Sequence, residues 1–222
     1  MPRDPVRIGK NDPFPDPREA VVGGPYDGLV AVGADLGVER LKSAYRSGIF
    51  PWTVRPVTWW SPNPRGIFDL GEMHISRSLR RVLGQCRYRV TRDQAFDRVI
   101  QACATVRRPG GWIVPEFIAA YSALHRDGSA HSVECWLEGD LVGGVYGVSV
   151  GGLFAGESMF HRADNASKVA VVHLHEHLLL RGYRLFDIQM VTDTTAALGA
   201  RAIPRDEYLE RLRVAVEIPA SF

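Results

Sequence analysis

A tryptophan- and proline-rich segment constrains the fold of this chain more than any other feature of its sequence. Residues 48–66 read GIFPWTVRPVTWWSPNPRG and hold three of the five tryptophans, Trp52, Trp59 and Trp60. Proline removes backbone donors and biases the preceding residue toward extended backbone, so no long helix can form here. The rings either pack the segment onto a core or form a platform on which a base stacks. Because neighbours on a strand face opposite sides, one ring of the tandem pair is expected to look away from the core.

The basic residues are unevenly distributed, although the formal net charge is only +2. Only three of the 27 basic residues are lysine, and six arginines with no acid among them lie between Met73 and Arg92. The planar fork of arginine suits phosphate, and a local basic patch on a nearly neutral protein indicates a polyanionic partner. The alternative is an arginine-rich, solvated face without a partner.

Several protein classes are disfavoured by the sequence. No apolar run is long enough to span a bilayer, and no apolar stretch follows Met1–Pro5, so a secretory signal is not expected. Three scattered cysteines, Cys86, Cys103 and Cys135, fit a reducing cytosol and disfavour a disulfide framework or a cysteine-based zinc site. A cytoplasmic protein is therefore expected.

The pattern of apolar residues and turn signals predicts an α/β chain, with a small domain over residues 1–68 and a second over 69–222. Predicted helices cover 36–47 after an Asp35 cap, 77–83 after a Ser76 cap, 93–105, 115–125, 165–180 and 204–213. Predicted strands cover 88–91, 132–137, 141–150, 153–159, 184–190 and 214–218. The central strands form an antiparallel meander.

Motifs for common cofactors are absent from the sequence. It contains neither GxxxxGK[ST] nor GxGxxG after a strand, so an ATP- or NAD-dependent reaction is disfavoured. His173 and His177 lie one helical turn apart and could share a metal, but a basic polar helix face explains them better. Ser158 is not in a GxSxG motif and lies at a strand end, which disfavours a hydrolase nucleophile. Neither a metal nor a cofactor is expected.

Three polar residues interrupt otherwise apolar strands. Glu157 follows Leu153–Gly156, whereas Asp187 and Gln189 lie within Leu185–Val191 and, being two apart, face the same side. Strand interiors rarely bury a carboxylate without a partner, so these residues are either structural anchors or site residues.

Taken together, these residues resemble the leucyl/phenylalanyl-tRNA–protein transferase family. Each matching segment is weak alone, but as an ordered set they are specific and cover nearly the whole chain. The segments are Gly28–Leu36, Tyr45–Trp52, Trp59–Arg65, His74–Leu79, Gly111–Ile113, Tyr121, Leu124–His125, Gly128, Ala130–Glu134, Leu141–Val148, Gly156–Phe160, Asn165–Lys168, Asp187–Gln189 and Leu198–Ala200.

The resemblance implies an enzyme that moves Leu or Phe, and less readily Met, from aminoacyl-tRNA onto an N-terminal Arg or Lys of a protein. The product is marked for N-end-rule degradation in bacteria. The implied fold is a small N-terminal domain followed by an N-acetyltransferase-like (GNAT) domain with a mostly antiparallel sheet. A monomer without a membrane partner is expected.

The resemblance maps the reaction centre onto Glu157, Asp187 and Gln189. We expect Asp187 to orient Gln189, Gln189 to position the attacking amine, and Glu157 to bind an ammonium group. A Leu or Phe donor needs an apolar pocket, for which the candidates are Val145, Phe154, Met159, Phe186 and Ile188. The candidate tRNA contacts are Trp52 and Trp112 for the terminal adenosine and Arg77, Arg80 and Arg81 for phosphates.

One position departs from the family pattern. Many relatives are expected to carry His after Asp193, where this chain has Thr194, so a role of that imidazole cannot be carried over. Two other functions stay open: a different GNAT-like acyltransferase, and a tRNA-binding module without catalysis.

Overall fold

The computed structural model describes residues 5–106 and 111–222. Of the N-terminal segment for which no secretory signal is expected, Met1–Asp4 lie outside the described residues. The strands are β1 Val6–Ile8, β2 Leu29–Gly33, β3 Phe50–Val54, β4 Val57–Trp60, β5 Arg65–Phe68, β6 Arg89–Arg92, β7 Ala130–Leu137, β8 Asp140–Val150, β9 Leu153–His161, β10 Leu185–Gln189 and β11 Arg201–Ile203. The helices are α1 Val38–Arg46, α2 Arg77–Gly84, α3 Phe96–Thr105, α4 Pro115–Asp127, α5 Ala166–Leu180, α6 Asp193–Ala196 and α7 Arg205–Ala215.

The tryptophan- and proline-rich segment forms β3, β4 and β5, so the prediction that no long helix runs there is confirmed. Trp59 and Trp60 alternate on β4 as predicted. Trp59 is fully buried, and its Nε1 donates a hydrogen bond to the carbonyl of Gly33 at 2.8 Å. The Trp60 ring is partly exposed and lies 5.6 Å from the ring of Trp52.

Two sheets divide the strands between them. The smaller has the order β1-β2-β4-β3, and the larger has the order β11-β5-β10-β9-β8-β7-β6. Among the described strands of the larger sheet, only β9 and β10 run parallel, which confirms the predicted α/β class with a mostly antiparallel sheet. A domain boundary at Phe68 stays a prediction, because β5 precedes it yet pairs within the larger sheet.

Local signals at the helix ends were mostly correct. The Ser76 hydroxyl accepts a hydrogen bond from the Leu79 amide, and α4 runs from Pro115 to a left-handed Gly128 at φ 82°. The Asp35 cap was wrong: the Asp35 carboxylate accepts from the Gly37 amide, and α1 begins at Val38, two residues later than predicted.

The predicted final strand over 214–218 was also wrong. Helix α7 continues to Ala215, whose side chain is fully buried, whereas the preceding Val214 is exposed. The apolar residues of this segment therefore belong to the last turn of an amphipathic helix, which alternation over so few residues does not distinguish from a strand. The short strand β11 and the five strands before residue 69 were not predicted.

Helices cover both faces of the larger sheet. Side chains of α3, α4 and α7 share one hydrophobic cluster with the smaller sheet, and side chains of α2 and α5 form another on the opposite face. Among the described residues, no helix is both long and apolar enough to cross a membrane.

A gap between the two parallel strands positions the site. Strands β9 and β10 pair from Leu185–Leu153 to Asp187–Ala155, and no further pairing joins them beyond that point in the described chain. Strand β9 continues to His161 alongside β8, whereas β10 bulges between Asp187 and Gln189. The strands therefore separate at Gly156 and Ile188, and side chains from both faces of the sheet reach the opening.

Candidate active site

A cavity of about 680 Å³ lies at this opening. Its volume falls in the range of small-molecule sites. The wall combines an apolar part from β8, β9, β10 and α5 with a polar part from the start of α5 and from α6. Its residues are Phe68, Val106, Val145, Gly156, Glu157, Ser158, Met159, Phe160, His161, Asp164, Asn165, Ser167, Lys168, Val171, Phe186, Ile188, Met190, Thr192, Thr194 and Thr195.

Four of the five predicted pocket residues lie in this wall: Val145, Met159, Phe186 and Ile188. Phe154 does not, contrary to the prediction. Its ring stands edge-on to Phe186 at 5.8 Å, and Phe186 lines the cavity whereas Phe154 does not, so Phe154 supports the wall from behind. Phe154 and Phe186 are paired in register on neighbouring strands, so their side chains lie on the same face of the sheet. Of the two, Phe186 takes the position in the cavity wall.

The carboxylate of Glu157 lies in the cavity wall, and each of its two oxygens accepts a hydrogen bond from another side chain. The Gln189 side-chain nitrogen Nε2 donates to Oε1 of Glu157 at 3.0 Å, and the Tyr121 hydroxyl donates to Oε2 at 2.9 Å. Tyr121 has a single hydroxyl proton, so Tyr45, whose hydroxyl oxygen lies 2.6 Å away, is the donor to Tyr121. The two tyrosines come from α4 and α1, so the N-terminal part of the chain contributes to the site.

Burial sets the electrostatics of this carboxylate. It raises the pKa of Glu157 to about 7; hydrogen bonds from the tyrosines oppose the rise and the charge of Asp187 adds to it. Burial also raises the pKa of Tyr45 and Tyr121 well above its ordinary value, so both stay protonated donors. A carboxyl group with a pKa near neutrality can take up or release a proton in solution at ordinary pH.

Asp187 and Gln189 lie behind the wall, 0% and 8% exposed. Asp187 forms a two-point ion pair with Arg65, from Nε to Oδ1 at 2.8 Å and from Nη2 to Oδ2 at 2.6 Å. Oδ1 also accepts the backbone amide of Gln189 at 2.9 Å, and Oδ2 accepts the Tyr208 hydroxyl at 3.0 Å. Of the three predicted reaction-centre residues, only Glu157 lines the cavity itself, and Gln189 is joined to it.

The aromatic residues assigned to adenosine lie on the other face of the sheet from the apolar wall. Trp112 is partly exposed and stands edge-on to Phe117 at 5.4 Å, and Phe117 contacts Tyr121. Trp52 is partly exposed and lies 5.9 Å from Phe50. Neither ring lines the cavity.

The three arginines assigned to tRNA phosphates, Arg77, Arg80 and Arg81, are exposed on α2. None of them has an acidic partner among the described residues. Buried Leu79 anchors this helix, so the guanidinium groups face solvent together. A second, smaller groove of about 310 Å³ runs beside them, with Arg87 and Arg92 in its wall.

The predicted basic polar face fits only His173 of the α5 histidines, which is partly exposed and lies 3.7 Å from the Glu176 carboxylate. His175 is 5% exposed and accepts a hydrogen bond from the Gly71 amide, and the His177 ring stands against Phe222 at 4.5 Å. Burial lowers the pKa of His177 to about 4, so it is neutral at ordinary pH. In residues 5–106 and 111–222 no group of three or more potential ligands could hold a metal.

Four residues of the hydrogen-bonded centre were not predicted: Tyr45, Arg65, Tyr121 and Tyr208. The tyrosines occupy apolar positions of helices, where sequence periodicity describes them as core. Arg65 belongs to the tryptophan- and proline-rich segment and lies 122 positions from its partner. The only signal in the sequence was the need of the buried Asp187 for a cation. Thr194, the predicted departure from the family, lies in the cavity wall.

Two family models match the chain. The model described as leucyl/phenylalanyl-tRNA protein transferase covers residues 67–213, and the model of its N-terminal domain covers residues 34–63. A protein of Pectobacterium atrosepticum named leucyl/phenylalanyl-tRNA–protein transferase is 51% identical over 201 residues, which is 90% of this chain and 85% of that protein. A Pseudoalteromonas atlantica protein of the same name is 48% identical over 217 residues, 96% of this chain and 92% of that protein.

Solved structures with a partial likeness are more distant. A GCN5-related N-acetyltransferase from Kribbella flavida is 10% identical, with 71% of this chain and 58% of that one covered and a TM-score of 0.41. The structure described as L-PGS from Bacillus licheniformis is 14% identical, with 72% and 55% covered and a TM-score of 0.40.

Proposed function

The chain belongs to the leucyl/phenylalanyl-tRNA–protein transferase family, and from this premise we propose that it moves leucine or phenylalanine, and less readily methionine, onto proteins with an N-terminal Arg or Lys. As a member of this family it is an aminoacyltransferase that takes its amino acid from aminoacyl-tRNA and gives it to a protein. The single observation that carries the proposal is the cavity in which an apolar wall meets the Glu157–Gln189 pair.

The donor side chain occupies the apolar part of the cavity. Val145, Met159, Phe186 and Ile188 supply the wall, with Phe154 as support beneath Phe186. Burial of an aliphatic or aromatic side chain here is favourable by about 1.5–3 kcal/mol. Met159 is unbranched and flexible, so it can adjust to a branched chain and to a flat ring.

The bond that forms joins the α-amino nitrogen of the acceptor to the donor carbonyl carbon, and the ester bond to the ribose oxygen breaks. One proton leaves the amine and ends on the departing ribose hydroxyl. Because an amide replaces an ester, the reaction needs no ATP, and alignment of the two groups supplies much of the acceleration.

An acceptor amine is mostly protonated near neutral pH, since an α-amino group has a pKa of about 8. We propose that the ammonium form docks against ionised Glu157 and gives this carboxylate one proton before the attack, which costs little because the pKa of Glu157 is about 7. The second proton is the one that ends on the ribose oxygen. Gln189 uses Nε2 for Glu157, which leaves Oε1 to accept an N–H of the amine. Asp187 holds Gln189 through its backbone amide.

The tRNA lies outside the cavity in this proposal. Trp52 and Trp112 stack on or line the site of the terminal adenosine, and Arg77, Arg80 and Arg81 contact phosphates of the acceptor stem. The three arginines are all exposed on α2, which supports a shared phosphate-binding surface. We further propose that the chain acts as a monomer in the cytoplasm and marks its products for N-end-rule degradation.

The experiment combines the purified chain, radiolabelled Leu-tRNA and a peptide that begins with Arg. We expect label in the peptide, the same with Phe-tRNA or an N-terminal Lys, and none when the peptide's amine is acetylated. Label that stays on the tRNA would contradict the proposal. Incorporation from acetyl-CoA instead would favour a GNAT-like acyltransferase, and tRNA binding without transfer would favour a non-catalytic module.

A further inference from the structure

Arg65 is a fully buried cation at the junction of three parts of the molecule. Its Nε and Nη2 contact Asp187, and its Nη1 donates to the carbonyl of Gly48 at 3.0 Å. Its guanidinium carbon lies 4.4 Å from the ring centre of Tyr208 on α7 and 5.0 Å from that of Phe50 on β3. Strand β10, helix α7 and the end of α1 are thus joined by one side chain.

The carboxylate of Asp187 is fully occupied by hydrogen bonds from within the protein. Each of its carboxylate oxygens accepts two hydrogen bonds: Oδ1 from Arg65 and the Gln189 amide, Oδ2 from Arg65 and the Tyr208 hydroxyl. A carboxylate has about four lone-pair positions, so all of them are used within the protein. Asp187 therefore has no acceptor left for a substrate and acts on the reaction through the orientation of Gln189.

Gln189 needs this support because its backbone is in the left-handed region, with φ 56°. That conformation is unfavourable for a residue other than glycine, and it persists only where the surroundings impose it. The opposing residue on β5 is Gly66, where an added Cβ would stand 2.8 Å from the carbonyl carbon of Met190. Arg65 and Gly66 are neighbours, so one short segment provides both the clamp and the space for the bulge.

From these contacts we propose that Arg65 is a positioning residue for Gln189, which acts by fixing the Asp187 carboxylate that holds the Gln189 backbone. The proposal rests on the proposed function only because the activity that Arg65 affects is taken to be aminoacyl transfer. A buried ion pair is weak grounds for extra stability, because desolvation offsets the attraction. The role is therefore geometric, and the separation of kcat from KM tests it.

The test uses Arg65→Lys, which keeps the charge but loses the two-point contact. We expect kcat to fall about 10–100-fold and KM for Leu-tRNA to stay within about 2-fold, because only the alignment of the amine changes. Amide hydrogen exchange by NMR should show faster exchange at Gln189, with Leu185 of the same strand still protected. The matched control is Arg205→Lys, since Arg205 is also buried but bonds the carbonyl of Ser61 instead.

A kcat within about 3-fold of the unmodified chain, or a lower kcat with unchanged exchange at Gln189, would overturn the proposal. If Arg65→Lys does not fold, Tyr208→Phe replaces it, because it removes one donor to Asp187 and keeps the ion pair. We expect about a 3–10-fold loss of kcat there, and an unchanged kcat would overturn the proposal. If the unmodified chain transfers nothing, the proposed function fails, and exchange at Gln189 alone decides the role of Arg65.

Discussion

Gln189 donates its side-chain amide to Glu157 across the gap between β10 and β9, with Nε2 of Gln189 3.0 Å from Oε1 of Glu157. The two strands no longer pair at this point, so the side-chain bond replaces the missing backbone bonds. The same gap admits the apolar wall from the opposite face of the sheet. The separation of two parallel strands is therefore what brings together an apolar pocket and the hydrogen-bonded pair of Glu157 and Gln189.

Replacement of Gln189 by Ala should reduce kcat for transfer about 100-fold, because the amine loses its acceptor and Glu157 loses a donor. Folding should be retained, as judged by circular dichroism and the urea midpoint. Gln101→Ala, an exposed change on α3, is the control and should leave transfer unaltered. A Gln189→Ala enzyme with turnover within about 3-fold of normal would remove this residue from the reaction centre.

Replacement of Glu157 by Gln should change the pH dependence of stability. The pKa of Glu157 is about 7 in the folded chain against an ordinary 4.5, so the folded state binds the proton more tightly. By linkage, its contribution to the free energy of unfolding is most favourable below the unfolded pKa and is lost as pH rises toward about 7. The variant should therefore gain about 1–3 kcal/mol relative to the unmodified chain between about pH 5 and pH 8.

This difference is measured by urea unfolding at several pH values. Glu72→Gln removes an exposed carboxylate that lies outside the cavity wall and serves as the matched control. A constant difference between the Glu157 variant and the unmodified chain would show that Glu157 has an ordinary pKa.

Enlargement of Val145 to Phe should shift the choice of donor toward leucine. Val145 is 5% exposed and lines the cavity, so a larger ring narrows the pocket. We expect the ratio of kcat/KM for Phe-tRNA over Leu-tRNA to fall about 10–100-fold. The ratio is unaffected by any fraction of misfolded enzyme. Val142→Phe, on the same strand but outside the wall, should leave it unchanged; an equal loss for both donors at Val145 would place the donor elsewhere.

Charge reversal at Arg80 and Arg81 should weaken tRNA binding and flatten its salt dependence. Each lost phosphate contact lowers the slope of log K against log salt by about 0.7–0.9, so the loss of two contacts should lower it by about 1.4–1.8. Arg126→Glu with Arg184→Glu changes the net charge equally at exposed sites distant in sequence and serves as the control. Equal effects of the two double variants would indicate a general charge effect rather than a phosphate site on α2.

The sequence was most informative where local signals decide the structure. Ser76, Pro115 and Gly128 fixed helix ends through capping and backbone preferences that need no distant partner. The meander of β7, β8 and β9 followed from alternation and glycine turns. Polar residues in apolar strands also drew attention to Glu157, Asp187 and Gln189, because burial of such groups requires compensation.

The compensating groups could not be predicted from the sequence. Arg65 reaches Asp187 across 122 positions, and Tyr121 reaches Glu157 across 36, so both contacts depend on the pairing of strands and the packing of helices. Phe154 was predicted to line the pocket because residue type alone does not distinguish a side chain in the cavity wall from one that packs behind that wall. The bulge at Gln189 could not be predicted from the sequence either, since it arises from the opposing Gly66 and from the Asp187 carboxylate.

The central claim is that the cavity beside Glu157 and Gln189 holds the aminoacyl end of the donor. A crystal structure with a 3′-amide analogue of phenylalanyl-adenosine, in which the ester is replaced by a stable bond, tests it most directly. We predict the phenyl ring against Met159 and Ile188, and the reacting carbonyl beside the Gln189 side chain. An analogue bound away from this cavity, with the Glu157 and Gln189 side chains keeping their present hydrogen bonds and making none to the analogue, would contradict the claim.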